Sequence, residues 1–589
     1  METISIDRIL GYIRGLCQYE NRLAGSETEK EAAEYIKDLL HGFGYNEVKM
    51  TKFPVYGWVP KKCAVEVISP VKRRLEAAVF PYSNSVSVEA SLVTINHTDE
   101  IALSSREGMI GLAPWGEHLY LSAMRTYYVA QKQKLSAVLI ASPDEGDLRK
   151  RVVVEVGGEM GLPLISISKE DGAILEGLME QGEVRIRVET EVNVDADASS
   201  QNLEVMVPGD GSVGHELIVG AHYDAYFQGA ADNAAPVAIV LELARILRMN
   251  AERITPRRTV RFLFYGAEEC GSTSYYYWVN GSRAYVEANS DAVARTGAIL
   301  SLDSVGFNAP NYVATTLCLT GFAKGLRVQM KNPPTVTFYG PAAYGSDHWF
   351  FEKAGVPTIY GVSFPSPLYH TQRDDVEHLN MKSVQFHAEF MRAALSVLMD
   401  VTLLPLDIFA PLERFRSILE EYMNAKDLPF DLGILLRKIE RIINEKKAFE
   451  KMAKTLGQTE NIERIEEVNA FLVSTVNWYN QTIGWVWRKS PPSDVSYLSK
   501  LELLVDYSEI SAAISALRRM PIANLDLETV VRYKAQDDNP FNWVDVHNPL
   551  ESLEDERSRI FRAVDEEISR LSDFLSRLHE KVRIFASGP

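Results

Sequence analysis

Histidine and carboxylate residues recur at the ends of apolar, strand-like runs between residues 217 and 403, and these residue types could bind metal. The set consists of His222, Asp232, the pair Glu268 and Glu269, Asp303, and His370. Imidazole and carboxylate are the groups that bind zinc outside thiolate sites. Each residue alone has an ordinary structural explanation, such as a helix cap, a turn or a solvated face. Because open α/β sheets build their sites at strand ends, the whole set predicts two metal sites.

Alternating strand and helix patterns surround these residues. The runs LIVGAHYD, TVRFLFYG and AILSLDSVG predict strands, and a helix is predicted from about residue 236 to 248. This alternation predicts an α/β domain with a mixed, largely parallel central sheet flanked by helices. Near the N-terminus, Ser26 followed by Glu29 is a capping-box pattern, which predicts that a helix begins there.

The rest of the chain predicts two further domains. Short β-like runs separated by turn-rich pieces fill the region between the early helices and the α/β pattern, and strand patterns disappear after Pro405. We therefore predict a catalytic α/β domain over residues 1–56 and 196–404, a β-rich insert over 57–195, and an all-helical C-terminal domain over 405–589. A heptad-like seam near the C-terminus favours packing within a helical bundle, with a homodimer contact as the alternative. Its residues are Phe561, Val564, Ile568, Leu571, Leu575, Leu578, Val582 and Phe585.

Composition excludes several classes of protein. The 589 residues are 46% hydrophobic and 24% charged, which is ordinary for a globular protein and unlike a disordered one. The net charge is −18, from 62 basic and 80 acidic residues, so neither nucleic acid nor a membrane surface is expected as a partner. Four separated cysteines form no CxxC pair, which argues against a disulfide framework or a thiolate zinc site. With no signal-like N-terminus or long apolar run, we predict a cytoplasmic protein.

The motifs resemble those of the co-catalytic di-zinc aminopeptidases, which are peptidase family twenty-eight. That family also includes glutamate carboxypeptidases and the non-enzymatic transferrin receptors. The resemblance covers about residues 1–56 and 196–403, through the motifs HYDA, ADNAAPVA, YGAEECGS, LDSVG, GSDHWFF and YHTQRDD. It implies a zinc-exopeptidase fold. The insert, through YVAQKQKLSAVLIAS and PLISISKEDG, resembles the protease-associated domain found in many relatives.

The resemblance implies a ligand set for two zinc ions. The carboxylate of Asp232 would bridge them. His222 and Asp303 would complete one site, and Glu269 and His370 the other. Manganese or cobalt could substitute for zinc with ligands of this type.

Further roles are implied for residues beside these ligands. Glu268 would be the general base that takes a proton from the attacking water and passes it to the departing amine. Asp224 would orient His222. Tyr344 is a candidate donor to the tetrahedral oxyanion, or else an aromatic wall of the pocket. Asp374 either orients the nearby histidine or occupies a turn.

The implied function is a metal-dependent exopeptidase, with an aminopeptidase acting on short unblocked peptides favoured. A carboxypeptidase would need cationic side chains for a free α-carboxylate, and the sequence reveals no such pair. A glutaminyl-cyclase-like enzyme would use one zinc ion. A non-catalytic receptor or scaffold should have lost ligands or the base, whereas this chain keeps all six residues. The sequence leaves open the side-chain preference, the physiological substrate, the metal used in the cell and the oligomeric state.

Overall fold

The structure is a computed structural model that describes most of the chain. It covers residues 3–95, 106–116, 119–154, 156, 158–251, 253, 255–273, 277–340, 345–425, 428–459, 461–482, 503–519 and 549–587. The chain forms two compact units. The first contains residues 1–316 and 322–401, and the second contains residues 317–321 and 402–589.

Two eight-stranded sheets form the framework of the first unit. Their strands are β1 Lys49–Pro54, β2 Gly57–Ser69, β3 Arg73–Leu75, β4 Ala77–Val79, β5 Val86–Thr94, β6 Ile110–Pro114, β7 Ala137–Ala141, β8 Leu164–Ile167, β9 Arg185–Asp195, β10 Ser199–Val207, β11 Glu216–His222, β12 Val260–Tyr265, β13 Thr296–Leu302, β14 Asn311–Thr315, β15 Val336–Tyr339 and β16 Thr358–Ser363. The first sheet has the order β1-β10-β12-β11-β13-β16-β14-β15, and the second has the order β3-β2-β9-β5-β6-β7-β8-β4.

The first sheet has a parallel centre. Strands β12, β11, β13 and β16 lie side by side and all run in the same direction. Antiparallel pairing joins β1 and β10 at one side and β14 at the other. This arrangement confirms the predicted mixed, largely parallel sheet, and it brings the carboxyl ends of β11, β12 and β13 together at one edge.

Helices flank the sheets. Those before residue 402 are α1 Ile6–Leu16, α2 Glu27–Gly42, α3 Leu119–Lys132, α4 Lys169–Gln181, α5 Ala235–Met249, α6 Asn280–Ala288, α7 Ser290–Ala294, α8 Leu317–Gly325, α9 His348–Lys353 and α10 Met381–Leu398. In α5 every residue from Ala235 to Leu247 is buried, and Pro236 lies in the first turn, where its missing N–H costs no helical hydrogen bond. The central helix next to the site is therefore enclosed by protein on all sides.

The predicted start of α2 is confirmed with one change in its hydrogen bonding. The Ser26 hydroxyl accepts a hydrogen bond from the Glu29 backbone N–H at 3.1 Å. The Glu29 carboxylate accepts from the N–H of Gly25, one residue earlier than a standard capping box requires. The carboxylate is fully buried and also accepts hydrogen bonds from the Ser200 hydroxyl and the Ala267 N–H. It thus connects α2 to the loop that follows β12.

The second sheet consists of strands from the insert. Helices α3 and α4 lie in the same stretch of chain, and the sheet has two apolar cores, one including Tyr127 of α3 and the other Leu175 of α4. The insert leaves and re-enters the first sheet at neighbouring points, because Pro54 pairs with Ser199 across β1 and β10. Its boundaries at 57 and 195 stay a prediction, since this stretch belongs to the same compact unit as the first sheet.

The second unit is helical, as predicted. Its helices are α11 Phe409–Ala425, α12 Gly433–Asn444, α13 Lys446–Leu456, α14 Ile462–Thr482, α15 Leu503–Arg519 and α16 Pro549–Ala586. The predicted seam lies on α16, which contacts α12, α13 and α15. The seven seam residues from Val564 to Phe585 are buried, whereas Phe561 is exposed and stacks on Phe430. A homodimer through this domain stays a prediction. Across the described ranges, no helix combines the length and the apolar composition needed to cross a lipid bilayer.

Candidate metal centre

The parallel centre of the first sheet places most of the predicted ligands at one edge. His222 is the last residue of β11, and Asp303 directly follows β13. Glu268 and Glu269 follow β12 by three and four residues. Because these three strands are adjacent and parallel, their carboxyl ends direct the following side chains into one region.

Two loops bring the remaining ligands to the same place. Asp232 lies in the short turn Ala230–Ala234 that leads into α5. His370 follows β16 and has a positive φ of 60°, a conformation that non-glycine residues seldom adopt. All the predicted ligands are therefore brought together, although their backbones come from five separate segments.

The side chains form two groups, and the Asp232 carboxylate lies between their histidines. His222 Nε2 lies 3.4 Å from Asp232 Oδ1, 3.5 Å from Asp303 Oδ1 and 3.9 Å from Glu268 Oε2. His370 Nε2 lies 3.3 Å from Asp232 Oδ2 and 2.9 Å from Glu269 Oε2. The two carboxylate oxygens of Asp232 thus face different histidines, which is the arrangement that a bridging ligand requires.

The donor atoms fit divalent cations. One buried group consists of His222, Glu268 and Asp303, and the other consists of Asp232, Glu269 and His370. The donor atoms within each group lie within 4.8 Å of one another. Four of these atoms make no hydrogen bond of acceptable geometry despite their short separations; they are His222 Nε2, His370 Nε2, Asp232 Oδ1 and Glu269 Oε1. A buried polar atom without a hydrogen bond is costly, and coordination to a cation would remove that cost.

Proton binding at the second group follows from its charges. Burial lowers the pKa of His370, but the carboxylates of Glu269 and Asp232 outweigh this and raise it to about 10. Burial, together with the neighbouring Asp232 carboxylate, raises the pKa of Glu269 to about 8. Both shifts favour the protonated forms of these two side chains, as expected where buried carboxylates lie close together.

Asp224 has a broader role than the sequence predicts. His222 Nδ1 lies 3.2 Å from the backbone oxygen of Asp224 and 3.4 Å from its carboxylate, which agrees with the predicted orienting role. The same carboxylate accepts hydrogen bonds from the backbone N–H groups of Glu268 and Glu269, both at 2.9 Å. One buried carboxylate therefore fixes the first histidine and the loop that carries both glutamates.

The Asp374 carboxylate holds the backbone at Asp232 in a similar way. Its carboxylate accepts hydrogen bonds from the N–H groups of Ala231 at 2.7 Å and Asp232 at 3.0 Å. The sequence singled out this residue by its distance from His370, but the structure assigns it to the Asp232 turn instead.

Asn233 is a positioning residue that sequence reasoning missed. Its side-chain oxygen accepts a hydrogen bond from the Ser304 N–H, and its amide donates to the Leu302 carbonyl. These bonds hold the backbone on both sides of Asp303. The only signal in the sequence is its place directly after Asp232. Tyr344, the candidate oxyanion donor, lies outside the described residues.

A cavity of about 720 Å³ opens beside the metal-binding groups. Four polar residues of the centre line it: Glu268, Glu269, Asp303 and His370. Most of the remaining wall is aromatic or aliphatic, with Trp278, Tyr312, Tyr339, Tyr360, Phe364, Tyr369, Met124 and Val153. Among the described lining residues, none is lysine or arginine. The cavity therefore offers an apolar surface next to buried carboxylates.

The mixed α/β sheet carries buried imidazole and carboxylate groups at the ends of its strands, and these groups form a candidate metal centre. Residues 202–395 match the family model described as "Peptidase family M28". The matched residues lie within the α/β domain, and this match confirms the resemblance found in the motifs.

Individual relatives agree with this family. The chain is 28% identical over 254 residues to Aminopeptidase YwaD of Bacillus subtilis, covering 40% of this chain and 52% of the relative. It is 25% identical over 301 residues to the probable leucine aminopeptidase 2 of Aspergillus fumigatus, covering 50% and 55%. The chain thus spans about half the length of these curated relatives.

A solved structure shares the fold. BSAP, a zinc aminopeptidase from Bacillus subtilis, superposes with a TM-score of 0.53 at 22% identity, covering 68% of this chain and 96% of that chain. At this identity the likeness shows the fold alone.

Proposed function

We propose that this protein is a metal-dependent aminopeptidase that hydrolyses the first peptide bond of unblocked peptides. The observation that most directly supports this proposal is that two buried groups of histidine and carboxylate side chains lie beside an open cavity. Each oxygen of the Asp232 carboxylate faces one of the two histidines. The family and the names of the relatives, two of them aminopeptidases by description, support this activity. The location in the cytoplasm stays a prediction from the sequence.

We further propose two zinc ions as the cofactor, with manganese or cobalt as substitutes. His222, Asp303 and one oxygen of Asp232 would hold one ion. Glu269, His370 and the other oxygen of Asp232 would hold the second. When bound, zinc supplies Lewis-acid polarisation of a water molecule and of the scissile carbonyl.

Glu268 is the proposed general base. It lies in the cavity wall, and its carboxylate oxygen is 3.9 Å from His222 Nε2, farther than the other carboxylates around that nitrogen. Burial raises the pKa of Glu268 above its ordinary value. In the reaction Glu268 accepts a proton from water and donates it to the amine that leaves.

The cavity lining favours an aminopeptidase over a carboxypeptidase. Recognition of a free α-carboxylate calls for lysine or arginine at the site, and the described lining residues include neither. The aromatic wall favours substrates whose first side chain is large and apolar.

One peptide in two forms tests the proposal. A short peptide with an apolar first residue is supplied unblocked and N-acetylated to zinc-supplemented full-length protein, with a chelator-treated sample and the Glu268→Gln variant as controls. We expect release of the N-terminal residue from the unblocked form alone, and none in either control.

Other products would contradict the proposal. Release of the C-terminal residue from the acetylated peptide would establish a carboxypeptidase. Zinc binding without cleavage of either peptide would support a non-catalytic receptor or scaffold.

A further inference from the structure

A segment of the insert, residues 147–153, lies directly against the loop that carries His370. The Arg151 N–H donates to the His370 carbonyl at 3.0 Å, and the Arg149 N–H donates to the Gln372 side-chain oxygen at 3.0 Å. Between them, Lys150 and Thr371 form an antiparallel bridge. The segment therefore pairs with the His370 loop much as a neighbouring strand would.

The same segment provides a hydrogen-bond acceptor for the imidazole. His370 Nδ1 lies 3.0 Å from the backbone oxygen of Arg151. A carbonyl oxygen only accepts, so Nδ1 must carry the hydrogen. In the neutral ring this leaves the lone pair on Nε2, the nitrogen that faces Asp232 and Glu269. The insert thus selects the tautomer that can bind a metal in the second group.

The side chain of Arg151 anchors this carbonyl. It is 8% exposed, and its guanidinium donates to the Asn21 side-chain oxygen and lies 4.4 Å from the centre of the Phe227 ring. The same Asn21 oxygen accepts a hydrogen bond from the Phe227 N–H at 3.1 Å. The arginine therefore ties the insert to two segments of the α/β domain at the point where its carbonyl meets His370.

We infer that Arg151 is a positioning residue of the metal centre, which makes the insert a structural part of that centre. This inference rests on the proposed metal-binding role of His370. The guanidinium holds the insert segment in place, the segment's carbonyl fixes the orientation and tautomer of the imidazole, and the imidazole binds the second ion. Loss of the group that hydrogen-bonds a metal-binding histidine typically weakens metal binding about 10- to 100-fold. This range is the upper limit for a change at the Arg151 side chain, which leaves the carbonyl itself in place.

Metal binding by the full-length chain tests the inference directly. The Arg151→Met variant keeps the length and apolar stem of the side chain but removes the guanidinium. Zinc content is measured after dialysis against buffers of graded free zinc. We expect one of the two zinc equivalents to bind more weakly, by up to about 100-fold, and the other to bind as in the unchanged protein.

Two comparisons make the result specific. Arg187→Met is the matched control, because it makes the same chemical change in the insert at a side chain paired with Glu66 and Glu89. It should leave both zinc equivalents unchanged. In a His370→Ala background, Arg151→Met should have no further effect on zinc binding, because the ring through which it acts is absent.

A milder variant tests the inference if the Arg151→Met protein does not fold. Phe227→Leu removes the ring beneath the Arg151 guanidinium but leaves the guanidinium charge in place. It should weaken binding of the same zinc equivalent a few-fold. Unchanged zinc binding in both Arg151→Met and Phe227→Leu, or equal weakening of both equivalents, would overturn the inference.

The unchanged protein distinguishes failure of this inference from failure of the proposed aminopeptidase function. An unchanged protein that binds two zinc ions without cleaving peptides would end the aminopeptidase proposal and leave this inference intact. Absence of zinc binding in the unchanged protein would end both.

Discussion

Asp232 is the residue that the two proposed metal sites share, since each of its oxygens faces one histidine. The Asp232→Ala substitution should therefore weaken binding of both zinc equivalents together. Glu269→Ala is the matched comparison, because the Glu269 carboxylate lies 2.9 Å from His370, the histidine of the second group. It should weaken one equivalent. Titration of zinc content in the two variants distinguishes them, and loss of a single equivalent from Asp232→Ala would disprove the bridge.

A substitution at Glu268 should lower catalysis without lowering metal binding. The Glu268→Gln substitution keeps the shape of the side chain but removes its ability to accept a proton. We expect peptide cleavage to fall about 100- to 10,000-fold, with the zinc content close to that of the unchanged protein. Steady-state kinetics and elemental analysis on the same preparation check both parts. A large loss of zinc would instead make Glu268 a ligand of the His222 group.

Residue types and strand ends were sufficient to predict that these side chains come together, because parallel strands must deliver their carboxyl ends to one edge. Their division into two sets of zinc ligands was implied by the resemblance to the family and stays a prediction. The supporting contacts were not predictable in the same way. Asp374, Asn233 and Arg151 act through backbone groups of segments far away in sequence. Such bonds depend on how the loops fold, and a backbone carbonyl has no signature in the residue types.

At the scale of elements, the first turn of α2 contains an ionisable group that should affect stability. Burial and the nearby Asp224 carboxylate raise the pKa of Glu29 to about 8, against the opposing effect of its three hydrogen bonds. The ordinary value in an unfolded chain is 4.5. Between these values the folded protein holds a proton that the unfolded chain releases, so stability falls as pH rises from about 5 to 8.

The Glu29→Gln substitution should remove this part of the pH dependence, which amounts to about 1.4 kcal/mol for each unit of pKa difference. Denaturant unfolding at several pH values between 5 and 8 measures it. Glu31→Gln, at an exposed position of the same helix, is the control and should keep the original slope. An equal slope in the two variants would show that Glu29 ionises normally in the folded protein.

Element patterns were predictable where burial alone determines them. The apolar run of α5 and the seam of α16 both follow from side-chain spacing. The hydrogen-bond partner of the Glu29 carboxylate at the helix start did not follow, because Gly25 rather than Ser26 donates to it. Local conformation, set by the positive φ of 74° at Gly25, determines which N–H group the carboxylate can reach.

At the scale of the whole molecule, the second unit depends on the seam of α16. Leu571 is fully buried there. The Leu571→Ala substitution should lower the free energy of unfolding of this unit by about 2–5 kcal/mol, through lost burial and the resulting cavity. Asp573→Ala, at an exposed position of the same helix, should change it by less than about 0.5 kcal/mol. Denaturant unfolding followed by circular dichroism checks both, and similar values would show that the seam does not stabilise the unit.

The place where the insert joins the first sheet has a consequence for how such proteins can diversify. Pro54 and Ser199 pair across β1 and β10, and Gly57 and Asp195 pair across β2 and β9 directly beyond them. For the first sheet, everything between these pairs is equivalent to one hairpin turn, so recombination could lengthen, shorten or exchange it without shifting the register of a strand. Exchange of the module nevertheless has a condition. Any replacement must bring its own acceptor to His370 Nδ1, where the Arg151 carbonyl now lies.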